Sequence, residues 1–341
     1  MSVFTLSQAA REKQLFPQLV DLVDHHRRLC APYDRILTAS GVFSFSDISE
    51  LPWLPVRLFK TLELKSIPDD EVFKVLTSSG TTGEVSRIYL DKAAAATQTR
   101  QLGATLQTVL GPKRLPMLIV DTKSILKDRR SFSARGAGVL GMATFGRDHV
   151  WALDADVDGL RAFLAEHGDQ PFLIFGFTYL VWLHLYEIAR EHGLDLSNGI
   201  LIHSGGWKKL VDQAVSPEEF RNRLAGVGLT RIHNFYGMVE QIGTIFLEGP
   251  TGGSLYCPDF ADVVVRDPET WAELPPGKPG LLEVVSTLPT SYPGHVLLTE
   301  DLGVVHGVDD GDWPGKRFSV LGRLPRAEAR GCSDTYRSAA A

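Results

Sequence analysis

Residues 77–83 read Thr77-Ser78-Ser79-Gly80-Thr81-Thr82-Gly83 and follow directly on a short apolar run, residues 72–76. The run has the length and character of a strand that ends in a tight polar turn. Two glycines let the backbone turn sharply and approach a ligand closely. Five hydroxyl side chains and the exposed backbone N–H groups supply neutral donors for phosphate oxygens. This is not a Walker A loop, because no Gly-Lys-Ser/Thr follows at the required spacing. The same composition also suits an ordinary polar loop.

Outward from this stretch the pattern alternates. Residues 93–110 are Ala-rich, with Leu102, Leu106, Val109 and Leu110 on one face and Gly111-Pro112 as a stop. Buried strands are predicted at 115–120, 172–175, 199–203 and 231–235. Helices fall between them at 160–165, ending near Gly168, and at 180–192, closed by Gly193. Ser216-Pro217-Glu218-Glu219 is a further helix start, with Ser as N-cap, Pro at the first position and Glu three residues after the cap. Strands alternating with helices imply an α/β fold with a largely parallel, helix-covered sheet. Upstream, Leu15, Leu19, Leu22 and Val23 share one helical face, His25-His26 reads as a helix surface pair, and the Pro-punctuated segment 51–56 should lie extended against the core. After Glu240, short apolar runs at 242–247, 263–265, 281–285, 296–298 and 318–321 are separated by Gly and Pro turns, as in a β-rich subdomain. The expected organisation is a helical and extended lead (1–70), an α/β segment (71–240) and a β-rich segment (241–323), with a short tail (324–341).

Composition narrows the function classes. The net charge of −6 offers no basic field for nucleic acid or an anionic membrane. The longest nearly uncharged stretch, 171–186, falls short of the ~20 apolar residues of a spanning helix, and residues 1–10 show no secretory pattern. Cys30, Cys257 and Cys332 are too few and too far apart for a disulfide framework or a metal knuckle; Cys30 and Cys257 read as small hydrophobes. A soluble, cytoplasmic protein is expected.

Three more segments join the loop. Asn234-Phe235-Tyr236-Gly237-Met238-Val239-Glu240 follows one predicted strand, Leu298-Thr299-Glu300-Asp301 follows another, and Gly322-Arg323 comes later. With these in order, the chain resembles the acyl-adenylating superfamily of acyl-CoA synthetases, adenylation domains and firefly luciferase. The nearer likeness is to the acyl-protein synthetases of bacterial luminescence fatty-acid reductase complexes. They share the short length, a segment like 54–60 and an ending like Arg330-Gly331-Cys332-Ser333. Residues 174–185 are more weakly similar to phenylacetate-CoA ligases. The resemblance implies an adenylate-forming core of helix-covered mixed sheets with a β-rich subdomain, residues 1–323, and a mobile C-terminal domain missing or reduced to a stub.

It also implies roles. Ser78, Ser79, Gly80, Thr81, Thr82 and Gly83 would hold the β- and γ-phosphates of ATP, and Glu240 would ligate Mg²⁺ as pyrophosphate leaves. Tyr236, followed by Gly237, would offer a flat face to adenine, with the Ser204-Gly205-Gly206-Trp207 turn as the other wall. Asp301 would accept from the ribose hydroxyls, and Arg323 would contact ribose or phosphate. Phe175, Gly176, Phe177, Thr178 and Tyr179 would lie beside the acyl group, suiting either a fatty chain or an aryl acid. Three departures stand against the family pattern. Arg87 stands in for the lysine after the loop, Val239 replaces a Thr, and only a short segment follows Arg323.

Cys332 matches the acyl-accepting cysteine of the luminescence branch. A thiolate there, favoured by Arg330, would attack an acyl-adenylate and release AMP. The expected function is ATP-dependent activation of a carboxylic acid, then acyl transfer to Cys332 and onward to a reductase, an acyl carrier protein, or the thiol of pantetheine or CoA. The alternatives are an ATP-independent acyltransferase that moves an acyl or aryl group from a CoA thioester to a carrier protein, and an inactive scaffold subunit. Neither nucleic acid nor membrane is expected as a partner. His203 and His233 read as structural residues of core strands.

Overall fold

The computed structural model describes residues 2–41, 44–78, 85–126, 134–207 and 214–324. It is a mixed α/β fold whose chain divides into two units. One takes the residues up to Thr108, Tyr236–Gly249 and those from Ser254 onward; the other takes Val109–Phe235 and Pro250–Gly253. No helix among the described residues is long and apolar enough to cross a membrane.

The unit beginning at Val109 is built on parallel strands in the order Gly146–Trp151, Leu115–Val120, Phe172–Phe177, Gly199–Ser204 and Arg231–Tyr236. Leu118, Ile119, Phe172, Ile174 and Leu201 are all buried, as near-continuous apolar runs should be in a sheet covered on both faces. Crossover helices start where their caps dictate. Asp156 accepts from Gly159 N–H at 2.8 Å ahead of Val157–His167, and Ser216 accepts from Glu219 N–H at 3.1 Å ahead of Pro217–Ala225. Such a cap is worth about 1 kcal/mol. The helix expected at 180–192 runs in three pieces: α-helical Thr178–Leu180, a π-helical turn Val181–Tyr186 and α-helical Glu187–His192, with Gly193 left-handed at φ 61°.

The other unit carries antiparallel strands in the order Ala261–Arg266, Gly280–Ser286, Val296–Val308, Lys316–Arg323, Leu255–Tyr256 and Phe246–Glu248. Leu54–Pro55, in the extended segment, pairs in parallel with Leu297 and Leu298. The helices Gln8–Leu29 and Ala31–Ser40 bury Leu15, Leu19, Val23, Tyr33 and Leu37 in one core with Val263, Val284, Leu297 and Phe318.

Two expectations are corrected here. The run at 72–76 does not open the parallel sheet. Its strand is Lys74–Thr77, paired antiparallel with Arg87–Leu90, and Phe73 and Val75 stay 57% and 46% exposed because a two-stranded ribbon has no second face to cover them. His26 is not a surface residue: it is fully buried, with Nδ1 2.7 Å from Ser66 Oγ, Nε2 3.0 Å from Pro289 O, and its ring stacked on His295 at 5.0 Å. It continues the stripe Leu15, Leu19, Val23, where helical spacing outweighs polarity. Cys30 and Cys257, for which the sequence left core and surface open, are both buried.

Candidate functional site

One buried carboxylate gathers three of the sequence segments. Val296–Val308 and Lys316–Arg323 pair in a register that sets Asp301 opposite Arg323. The ladder skips Leu321 on one strand and His306 on the other, so two single-residue bulges of opposite effect cancel. Gly322, beside the first bulge, has φ 145°, a conformation that favours glycine. Arg323 Nε donates to Asp301 Oδ1 at 3.1 Å, and the Tyr236 hydroxyl donates to Oδ2 at 2.7 Å. Thr299 Oγ1 accepts from the Asp301 N–H at 3.1 Å and donates to Leu282 O at 2.6 Å, which fixes the carboxylate's own backbone. Burial first, and the Asp301 charge second, push the Tyr236 phenol well above its ordinary value, so it stays a donor. The Tyr236 ring packs 6.2 Å from Phe246.

Glu240 lies on the short 3₁₀ turn Val239–Gln241 and is 5% exposed. Gln241 pins that turn by donating from Nε2 to Val284 O at 3.1 Å and Gly294 O at 3.0 Å. Gly294 is there by necessity, since a Cβ would fall 2.7 Å from Glu240 O and 2.3 Å from the Tyr292 ring. Burial, then the Glu240 charge, drives the Tyr292 phenol upward. Val239, where the family motif has Thr, packs on the apolar core. Gly237 is exposed at the head of the turn. Among the described residues no group of three or more His, Cys, Asp or Glu could hold a metal. A single hard carboxylate suits Mg²⁺, which usually keeps few protein ligands and arrives with substrate phosphates.

Ser78 and Arg87 flank the hydroxyl-rich turn. Ser78 N–H donates to Ser86 O at 3.2 Å, Ser78 Oγ accepts from Ser86 N–H at 3.0 Å, and Arg87 is exposed opposite Thr77. Ser79, Gly80, Thr81, Thr82 and Gly83, like Cys332, lie outside the described residues.

The remaining candidates belong to the parallel unit. Phe175, Gly176 and Phe177 end its middle strand, Thr178 and Tyr179 begin the following helix, and all five are buried. Gly176 admits no side chain: a Cβ would lie 2.7 Å from Val120 Cβ and 2.9 Å from Val181 Cγ2. Gly205, left-handed at φ 81°, and Gly206 are exposed. Thr178 Oγ1 donates to Gly205 O at 2.6 Å, which joins the start of that helix to the turn after Ser204. His203 and His233 are buried in their strands. Sequence reading missed one polar cluster here. Arg135 grips Asp121 through two bonds of 2.7 and 2.6 Å, both nearly buried, and burial with the Arg135 charge lowers the affinity of His184 for a proton. The available signal was Asp121 itself, a charge placed directly after a wholly apolar parallel strand, where α/β sheets hold their ligands.

Comparison with known proteins covers nearly the whole chain. The family described as "Acyl-protein synthetase, LuxE" matches residues 2–340. A long-chain-fatty-acid–luciferin-component ligase of Vibrio harveyi is 26% identical over 94% of this chain and 87% of its own length. A ligase of the same name from Aliivibrio fischeri is 22% identical over 84% of this chain and 78% of its own. Among solved structures, a 2-hydroxyisobutyryl-CoA ligase in the postadenylation state, in complex with 2-HIB-AMP, superposes with a TM-score of 0.72. It is 17% identical, covering 94% of this chain and 70% of the ligase, a likeness of fold.

Proposed function

This chain belongs to the LuxE acyl-protein synthetase family, and from that premise we propose that it activates a fatty acid with ATP and passes the acyl group to a thiol. An oxygen of the substrate carboxylate attacks the α-phosphorus of ATP, the bond to the β-phosphate breaks, and pyrophosphate leaves. A thiolate, that of Cys332, then attacks the acyl carbonyl, and AMP leaves with the bonding electrons. The acyl group moves on to a partner protein, a reductase in the luminescence analogy. The long-chain acid follows the name that the two bacterial ligases share.

The observation that carries this reading is the convergence of Tyr236 and Arg323 on the Asp301 carboxylate, which brings three separate sequence segments together. Asp301 retains lone pairs for the ribose hydroxyls beside its two present bonds, and the Tyr236 ring, with its hydroxyl tied down, is held in a fixed plane for adenine. Arg323, with 32% of its side chain exposed against 12% for Asp301, can exchange Asp301 for ribose or phosphate. Ser78 through Gly83 supply neutral donors to the phosphates and Arg87 supplies the positive charge. Glu240 contributes the carboxylate for Mg²⁺, which when bound neutralises the charge that builds on pyrophosphate.

Acid-dependent exchange of labelled pyrophosphate into ATP tests the proposal, run across long-chain fatty acids and aryl acids. Exchange is expected with the fatty acids. Glu240→Gln should lower it at least about a hundredfold, as loss of an electrostatic group at the reacting phosphates does, without a change in the urea unfolding midpoint. No exchange with any acid would leave the ATP-independent acyltransferase as the better account.

A further inference from the structure

Thr178 Oγ1 has three polar neighbours: Gly205 O at 2.6 Å, His203 Nδ1 at 2.9 Å and Ser204 O at 3.2 Å. A hydroxyl carries one proton, and both carbonyls can only accept. The shortest contact takes that proton, so the Thr178 hydroxyl donates to Gly205 O. His203 Nδ1 must then be the donor to Thr178, which places the imidazole proton on Nδ1. The result is a directed chain, ring N–H to hydroxyl to carbonyl, closed off from water at Thr178 and His203, which are 8% and 5% exposed. Bonds in such a chain polarise and strengthen one another.

The chain is anchored at both ends. The His203 ring lies 5.0 Å from Phe220, on the capped helix Pro217–Ala225, and Phe220 also packs against Trp182 at 6.1 Å and Trp207 at 6.4 Å. Trp207 closes the same turn that Gly205 opens. Gly205 itself is exposed and left-handed, and the Thr178 bond holds the direction of its carbonyl.

We propose that Thr178 and His203 are positioning residues for the nucleotide. Thr178 fixes the Gly205–Gly206 turn through the Gly205 carbonyl, and His203 fixes the direction in which Thr178 points its proton. The inference rests on the reading of that turn as an adenine wall. It adds that the start of the helix after Phe177, on the acyl side, sets nucleotide affinity. Substitutions there that displace Thr178 should therefore appear as weaker ATP binding, even where the acid still fits.

The test uses the full chain and ATP titrated by calorimetry. Thr178→Val keeps the shape and removes the hydroxyl, and is expected to raise the ATP Kd about tenfold, equivalent to about 1.4 kcal/mol. Thr178→Ser restores the hydroxyl and should recover most of that loss, which a packing role would not allow. Nitrogen NMR of ¹⁵N-histidine-labelled protein should show the His203 proton on Nδ1, and a shifted Nδ1 resonance in Thr178→Val. Equal ATP affinity in wild type, Val and Ser variants would overturn this inference alone, as would a His203 proton resident on Nε2. Wild-type protein with no affinity for ATP would overturn the activation reading and this inference together.

Discussion

Removing the Asp301 carboxylate should produce two separable losses. In the free protein Asp301→Ala takes the acceptor from the Tyr236 hydroxyl, bonded at 2.7 Å, and from Arg323 Nε, at 3.1 Å. Arg323 is 32% exposed and can turn to water, so its share is that of a surface pair, about 0–1 kcal/mol. The phenol cannot turn as freely, because its ring packs by Phe246 and its hydroxyl is buried. A hydroxyl left without an acceptor costs about 1–3 kcal/mol, and a hydrogen bond to a charged group contributes about 1.5–3 kcal/mol. Urea unfolding of wild type, Asp301→Ala, Tyr236→Phe and the double variant closes a cycle in which the coupling energy should be about 1.5–3 kcal/mol, the double variant being less damaged than the sum. ATP titration gives the second loss. Without a carboxylate for the ribose hydroxyls, the Kd should rise about 13- to 160-fold, the same 1.5–3 kcal/mol expressed as affinity. Additive unfolding energies would mean that the Tyr236–Asp301 bond contributes nothing to the fold. Unchanged ATP affinity in Asp301→Ala would remove the residue from the nucleotide site, whatever the cycle shows.

Three further outcomes are expected. Incubation with a fatty acid and ATP should leave a hydroxylamine-labile acyl group on Cys332, seen by peptide mass spectrometry; Cys332→Ser should abolish it while pyrophosphate exchange persists, and acyl-AMP without an adduct on Cys332 would make the acceptor an external thiol. Acid should destabilise the chain through His26 and His295. Burial holds both neutral in the folded state, His26 with its pKa lowered to about 3 and His295 lowered well below the usual histidine value, whereas in the unfolded chain they take up protons from about pH 6.5 downward. The stability is complete above pH 6.5 and falls below it by up to about 1.4 kcal/mol per pH unit for each ring; a urea midpoint that is flat from pH 7 to pH 5 contradicts this. Gly176→Ala forces a methyl to within 2.7 Å of Val120 Cβ and should cost about 1–3 kcal/mol in urea unfolding, as overpacking does.

What the sequence makes legible is local information. Ser216-Pro217 announces its helix because cap and helix are neighbours, and the apolar strands of the parallel sheet declare themselves because both faces are covered. The stripe of the first helix was only half legible. Gln8, Arg11, Leu15, Leu19, Val23 and His26 all share its buried face. The polar members look like surface residues because their partners, among them Asp262, the Cys257 carbonyl and Ser66, are far along the chain. Candidate residues of the nucleotide site were legible as motifs. The bonds among them were not: Asp301 meets Arg323 only in a register set by two bulges, and Tyr236 meets Asp301 across 65 positions. The Thr178–His203 bond is hidden for the same reason, since a histidine in a core strand gives no sign of its acceptor.

The paired bulges make single-residue deletions unequal along the hairpin that carries Asp301 and Arg323. Between the skipped residues His306 and Leu321 the strands run one step out of phase with the pairing outside them. Deleting Leu321 itself removes the residue that has no opposite number, and Arg323 still arrives across from Asp301 on the same face. Deleting Phe318 or Ser319 instead pulls a paired residue out of the ladder, turning its neighbours to the wrong face unless the bulge moves to absorb the gap. Length variation in this hairpin is therefore tolerable at the bulges and costly between them.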